Sequence, residues 1–147
     1  MEITYQIFEA EKLLVQKYSG PLDFQKYVRF TQHLSKYFNS IKVNSVIIDF
    51  RHVYFDGESE QFSANIDRMI ALRKKIHEAE PKVRDSRAVF WVDKPMPTAV
   101  AQMVTRSYSP TSFTFCSTAR EILRITNLPE SFADLENIVS NLENTFH

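Results

Sequence analysis

The chain has 147 residues with 44% apolar side chains, enough for one domain with a real core and too apolar for a disordered segment. Its 18 basic and 18 acidic residues cancel, which removes the general electrostatic case for nucleic-acid binding and leaves only a local patch to consider. Only two glycines occur, Gly20 and Gly57, so the clustered glycines of a dinucleotide fingerprint or a phosphate-cradling loop cannot be built, and no cofactor is expected. No apolar run approaches the ~18 residues of a membrane span. Met1 to Tyr5 lacks the basic start and apolar core of a signal peptide, and the single cysteine, Cys116, allows no internal disulfide, so a cytoplasmic setting is expected.

In chain order, Ile3 to Phe8 and Leu13 to Tyr18 read as two strands joined by a hairpin connection at Glu9-Ala10-Glu11-Lys12. Ser19-Gly20-Pro21 is expected to stop the second strand and open a helix, with Pro21 near its first position. Phe24, Tyr27, Val28, Leu34 and Phe38 share a face of that helix, which runs to about Asn39. Val43 to Phe50 is the central strand. Its run Val46-Ile47-Ile48 has no helical spacing, as expected of a strand covered on both faces, and Asp49 is expected at its end. Val53 and Phe55 lie under a short connection. Asp56, Gly57 and Ser59 supply turn and cap chemistry for a helix from about Ser59 to Ala79, striped by Phe62, Ile66, Met69, Ile70 and Ile76.

Pro81 closes that helix. Ser86 to Val92 reads as another buried strand. Asp93-Lys94-Pro95-Met96-Pro97 leads into a helix carrying Val100, Ala101, Val104 and Tyr108, ended by Pro110. Phe113 to Cys116 is a short last strand. Thr118-Ala119-Arg120-Glu121 matches a capping box and starts a helix whose Ala119, Ile122 and Leu123 face inward, and Asn127-Leu128-Pro129 breaks the chain. The order β-β-α-β-α-β-α-β-α, followed by one more helix, predicts an α/β domain over residues 1–128: a mixed, mostly parallel five-stranded sheet covered by helices.

Residues 129–147 form a C-terminal appendage. Phe132, Leu135, Val139, Leu142 and Phe146 recur at spacings of three, four, three and four, a seam of about two heptads. Two readings stand: an amphipathic helix packed on its own domain, or one exchanged between subunits of a homodimer.

The element order and the central stretch resemble the SpoIIAA-like domains, which include the STAS domains of anti-sigma-factor antagonists and a related bacterial set. The resemblance covers roughly Ile3 to Leu128. In the family a buried strand ends in Asp-Leu, two apolar positions follow, and an Asp-Ser-Ser-Gly turn opens a helix. Asp49-Phe50 matches the pair, and Val53 and Phe55 match the apolar positions. Gly57 falls on the family's Asp, Glu58 on its first Ser, Ser59 on its second and Glu60 on its Gly, so Ser59 is the one element of the turn retained. The stretch Ser112 to Ile125 also looks like the related set.

The resemblance implies a five-stranded SpoIIAA-like fold, a non-enzymatic regulatory role through protein–protein contact, and a recognition surface at Asp56, Gly57, Glu58, Ser59 and Glu60. It also implies that Ser59 sits where the family's phosphate acceptor does. A phosphate at a helix start gains about 0.3–1 kcal/mol from the dipole. At roughly 6 Å, each unit-charge repulsion with Asp56, Glu58 or Glu60 costs ~0.7–3 kcal/mol, so Ser59 is expected to cap the helix without acting as a phospho-switch. The alternative reading is a carrier for a small lipid or other apolar ligand, since related folds include lipid-transfer domains and the 12 phenylalanines and four methionines could line a pocket.

An enzyme is the third reading. Asp49, His52 and Ser59 have the residue types of a hydrolase triad, but no nucleophile elbow or oxyanion loop accompanies them, so no catalytic residue is assigned. His33, His52, His77, His147 and Cys116 lack metal-ligand spacing, and no metal is expected. Cys116, at the end of an apolar strand, reads as a buried structural thiol, and Trp91 as core. Arg73, Lys74, Lys75, Lys82, Arg84 and Arg87 form either a solvated face or a basic patch for acidic lipid or protein.

Overall fold

The computed structural model describes residues 1–38, 43–57, 61, 63–68, 70, 71, 87–105 and 113–147. Strands β1 (Glu2–Phe8) and β2 (Leu13–Pro21) form an antiparallel hairpin. The turn between them closes through the Lys12 N–H on the Glu9 carbonyl, 3.2 Å, with Lys12 in the left-handed region at φ 51°. The second strand does not stop at Ser19. It runs through Gly20 to Pro21, because Gly20 at φ +88° bends the chain without breaking its pairing with β3. Helix α1 (Phe24–Phe38) therefore starts later than Pro21 suggests. Asp23 caps it, its carboxylate accepting the Lys26 N–H at 2.9 Å.

The central strand β3 (Ser45–Tyr54) runs four residues past Phe50, so Asp49 lies mid-strand and not at its end. Strand β4 (Arg87–Trp91), helix α2 (Pro95–Thr105), strand β5 (Phe113–Cys116) and helix α3 (Ala119–Thr126) follow in the expected order. The capping box is present: the Thr118 hydroxyl accepts the Glu121 N–H and the Glu121 carboxylate accepts the Thr118 N–H, each at 3.3 Å. Asn127 ends α3 in the left-handed conformation. Residues 63–68 are helical within the stretch expected to form the second helix. Glu58, Ser59, Glu60, Phe62, Met69, residues 72–86 and residues 106–112, including Tyr108 and Pro110, lie outside the described residues.

The last segment departs from expectation. In place of one helix over 132–146, the chain makes a 3-10 turn (Glu130–Phe132), a short helix α4 (Leu135–Ser140) capped by Asp134, and a strand β6 (Asn144–Phe146). The sheet thus has six strands, in the order β5-β4-β3-β2-β1-β6. β2 to β5 are parallel neighbours, and β1 is antiparallel to both β2 and β6. The three-four spacing that suggested a helix arises because Phe132, Leu135 and Val139 all reach one face of the sheet, while Phe146 reaches the other.

Side chains alternate between two apolar layers. Leu14, Tyr18, Val46, Ile48, Phe50 and Phe90 face α1 and α2, where they meet Tyr27, Phe30, Leu34, Val100 and Ala101. Leu13, Val15, Ile47, Val89 and Trp91 face the C-terminal elements and meet Ile122, Phe132, Leu135 and Val139. Val46, Ile47 and Ile48 are all buried, as a strand covered on both sides requires.

Candidate functional site

A bulge in β3 sets the geometry of the site. Lys17 pairs with Asp49 and Ser19 with His52, so Phe50 and Arg51 together oppose Tyr18. Phe50 is buried among the aromatic rings of the first layer, in edge contact with Tyr18, Tyr27 and Phe90. Asp49 and Arg51 share the second layer.

Asp49 is fully buried, a position that a carboxylate holds only when paired. Arg51 supplies the pair in bidentate form: Nε donates to Oδ1 and Nη2 to Oδ2, both at 2.9 Å, and the Arg51 backbone N–H adds a bond to Oδ1 at 3.1 Å. The other edge of the same guanidinium donates to Glu136 on α4, at 2.6 Å to Oε1 and 3.0 Å to Oε2. Its flat face covers the Trp91 ring, with the guanidinium carbon 3.5 Å from the centroid. Burial opposes the charge on Arg51, but the bonds from Asp49 and Glu136 outweigh it and hold the guanidinium above its ordinary range. One side chain therefore ties β3, β4 and α4 together.

Beyond this clamp, buried Val53 pins the end of β3, and the chain emerges at the carboxyl ends of the parallel strands. Ligands and partners of open α/β sheets are commonly met at this edge. Tyr54 is 47% exposed there and Met96, on the first turn of α2, is 50% exposed. The Phe55 N–H points at the Met96 sulfur, 3.5 Å away, and holds the two loops together. Asp56 and Gly57 are exposed beside them. At Gly57 an added Cβ would lie 2.8 Å from Phe55 Cζ, so glycine lets the aromatic ring close over the turn.

Next to this rim an open cleft of about 430 Å³ is lined by Val92, Asp93, Lys94, Pro95, Thr98, Ala99, Gln102 and Ser117. The start of α2 is poor in donors, because Pro95 and Pro97 have no N–H and the Thr98 N–H already serves the Lys94 carbonyl. That helix end offers apolar surface and little to hold an anion.

Of the five residues expected to form a recognition surface, Asp56 and Gly57 are exposed on the rim, while Glu58, Ser59 and Glu60 lie outside the described residues. Both Asp49 oxygens are taken by Arg51, and His52 is exposed. Cys116 is buried, and burial, followed by the nearby Glu121 charge, pushes its thiol up. Among the described residues no three His, Cys, Asp or Glu side chains are grouped to hold a metal ion. Arg87 donates to the Ile125 carbonyl at 2.9 Å, whereas Arg73, Lys74, Lys75, Lys82 and Arg84 lie outside the described residues. Trp91 is both core and a platform for Arg51.

The five C-terminal apolar residues divide between the two layers. Phe132 meets Phe8 edge-on at 5.1 Å, Leu135 and Val139 are buried beneath the sheet, and Leu142 packs beside them. Phe146 sits on the opposite layer against Phe30 and His33. The Arg51 clamp itself carried one sequence signal, an arginine two residues after an aspartate in an apolar strand. Glu136, 85 residues away, carried none.

No protein-family model and no curated protein sequence matches the chain. A solved structure does: the anti-sigma factor antagonist SpoIIAA in its unphosphorylated form aligns over 86% of this chain and 99% of that one, with a TM-score of 0.50 and 15% sequence identity. The fold is SpoIIAA-like. At this identity the likeness speaks to fold alone. Among the described residues no helix is long and apolar enough to cross a membrane.

Proposed function

We propose that this chain is a non-enzymatic regulatory module that works by binding another protein at the carboxyl-end rim of its sheet. The carrying observation is the exposed apolar pair Tyr54 and Met96, fixed to one another through Phe55 on a rigid sheet edge. Large apolar side chains held in the open, rimmed by charge, are the ordinary mark of a protein contact. Asp56 and Asp93 border the pair, and Glu58 and Glu60 follow in sequence, with Lys94 as a cation among the described residues. The partner this surface fits presents an apolar side chain flanked by lysine or arginine. The neighbouring fold belongs to an anti-sigma factor antagonist, which agrees with a regulatory contact.

In sequence Ser59 is flanked by Asp56, Glu58 and Glu60, and the repulsion a phosphate would meet among them argues against a phospho-switch there. The alternative, a carrier of a small apolar ligand, rests on the abundance of phenylalanine. The cleft beside the rim is open to solvent and lined in part by Asp93, Lys94, Thr98, Gln102 and Ser117, which suits it poorly. The test is affinity capture from the native cell with the wild-type chain, Tyr54→Asp, Met96→Asp and the distant surface variant Arg120→Ala. A partner held by wild type and Arg120→Ala but lost from both rim variants is expected. Equal retention by all four chains rules out the rim, and stoichiometric lipid with no protein partner favours the carrier.

A further inference from the structure

We propose that the outer edge of β1 is a strand-pairing surface for a second copy of this chain, and that β6 is the guard that keeps it closed. On its inner side β1 pairs with β2 along all seven residues, from Glu2 opposite Ser19 to Phe8 opposite Leu13. On its outer side β6 pairs with Ile3, Thr4 and Tyr5 alone. Among the described residues no strand lies against Gln6, Ile7 and Phe8 on that side, so the edge is longer than its cover. An uncovered strand edge is a template for another chain.

The sequence of β1 is self-complementary. With Tyr5 on a two-fold axis perpendicular to the sheet, Ile3 meets Ile7 of the second copy, Thr4 meets Gln6, and Glu2 meets Phe8, so no like charges face each other. Ile3, Tyr5 and Ile7 belong to the first apolar layer, and that layer would continue across the axis without a change of face. The guard is weakly seated. Asn144 and Thr145 are exposed, and Phe146 is its one apolar anchor, half-buried with its ring 5.2 Å from Phe30 and 5.3 Å from His33. His33 Nε2 lies 3.1 Å from the Tyr5 hydroxyl and so joins the anchor to β1. Buried Leu135 and Val139 hold α4 in place, so β6 can lift while the segment before it stays docked.

The test is sedimentation equilibrium on full-length chains, with far-UV circular dichroism to confirm the fold. Wild type is expected at the mass of one chain. Phe146→Asp, and the milder Phe146→Ala, are expected to shift toward twice that mass. Adding Thr4→Lys and Gln6→Lys to either variant puts like charges opposite one another across the axis and is expected to restore the single-chain mass. A folded Phe146 variant that stays at one chain overturns the proposal. So does a doubled mass that survives the two lysines, or a wild type that is already double.

Discussion

The Arg51 guanidinium lies flat on the Trp91 ring, 3.5 Å above its centroid, with a carboxylate on each of its edges. One carboxylate, Asp49, is fully buried, and the other, Glu136, is largely exposed. The two ion pairs therefore differ in consequence. Losing the exposed one returns Glu136 to water, while losing the buried one strands a charge inside the sheet.

Arg51→Ala is accordingly expected to destabilise the fold by about 3–5 kcal/mol, because Asp49 is left unpaired. Glu136→Ala is expected to cost only about 0.2–1 kcal/mol, and Arg51→Lys to fall between, since an ammonium cannot make both bidentate pairs. The double change Asp49→Leu with Arg51→Met is expected to recover most of the loss. Urea denaturation of the four chains measures the series, and a Glu136→Ala cost equal to that of Arg51→Ala would refute this ranking.

The capping box on α3 gives a pH signature. The Ser117 and Thr118 backbone N–H groups hold the Glu121 carboxyl below the usual carboxylate range. A group with a lowered folded pKa adds stability above its unfolded pKa and loses it as pH falls through the folded value. The stability difference between wild type and Glu121→Gln is therefore expected to be constant near neutral pH and to shrink in acid. A difference that is flat with pH, or that grows in acid, contradicts the assignment. Thr118→Ala, which removes the other half of the box, is expected to cost about 1 kcal/mol at neutral pH.

Asn127 occupies the left-handed region at φ 51° with its N–H on the Leu123 carbonyl, 3.0 Å. Asn127→Val is expected to cost roughly 1–2 kcal/mol through its Cβ, while Asn127→Gly stays near neutral or gains slightly. Thermal unfolding of the two variants separates these outcomes. An equal effect of both would mean that lost side-chain contacts matter more than the backbone conformation.

Leu135 is fully buried under the sheet although it lies in the last part of the chain. Leu135→Ala is expected to cost about 2–5 kcal/mol, the range for a cavity in a well-packed core. A loss below about 0.5 kcal/mol would mean that residues 129–147 are not part of the folded body.

Much of the fold was legible because its signals are local. Val46-Ile47-Ile48 can only satisfy three consecutive apolar side chains by being covered on both sides, and Thr118 with Glu121 carries its own hydrogen-bonding instructions. What misled were signals with two physical readings. Gly20-Pro21 marks a strand end as readily as a helix start: Pro21 lies past the reach of β1, whose pairing ends with Glu2 opposite Ser19, and still pairs with Tyr54 of β3. A three-four spacing marks a helix, but Phe132, Leu135, Val139 and Phe146 meet it while passing through a 3-10 turn, a helix and a strand. At the rim, Asp56 and Gly57 announced a turn by their types. The partnership of Phe55 with Met96 is 41 residues apart in sequence and follows only once β3 and β4 are placed side by side.

The extra residue at Phe50–Arg51 resets the parity of β3. Val53 lies on the same layer as Phe50 although it stands three positions further on, an odd step that regular alternation forbids. Without the bulge, a strand of the same length would send Val53 to the opposite layer and turn Tyr54 inward, whereas removing the one extra residue would leave both where they are. Which side chains the molecule shows at this end of the sheet is thus decided by how many backbone units the bulge takes up several positions upstream.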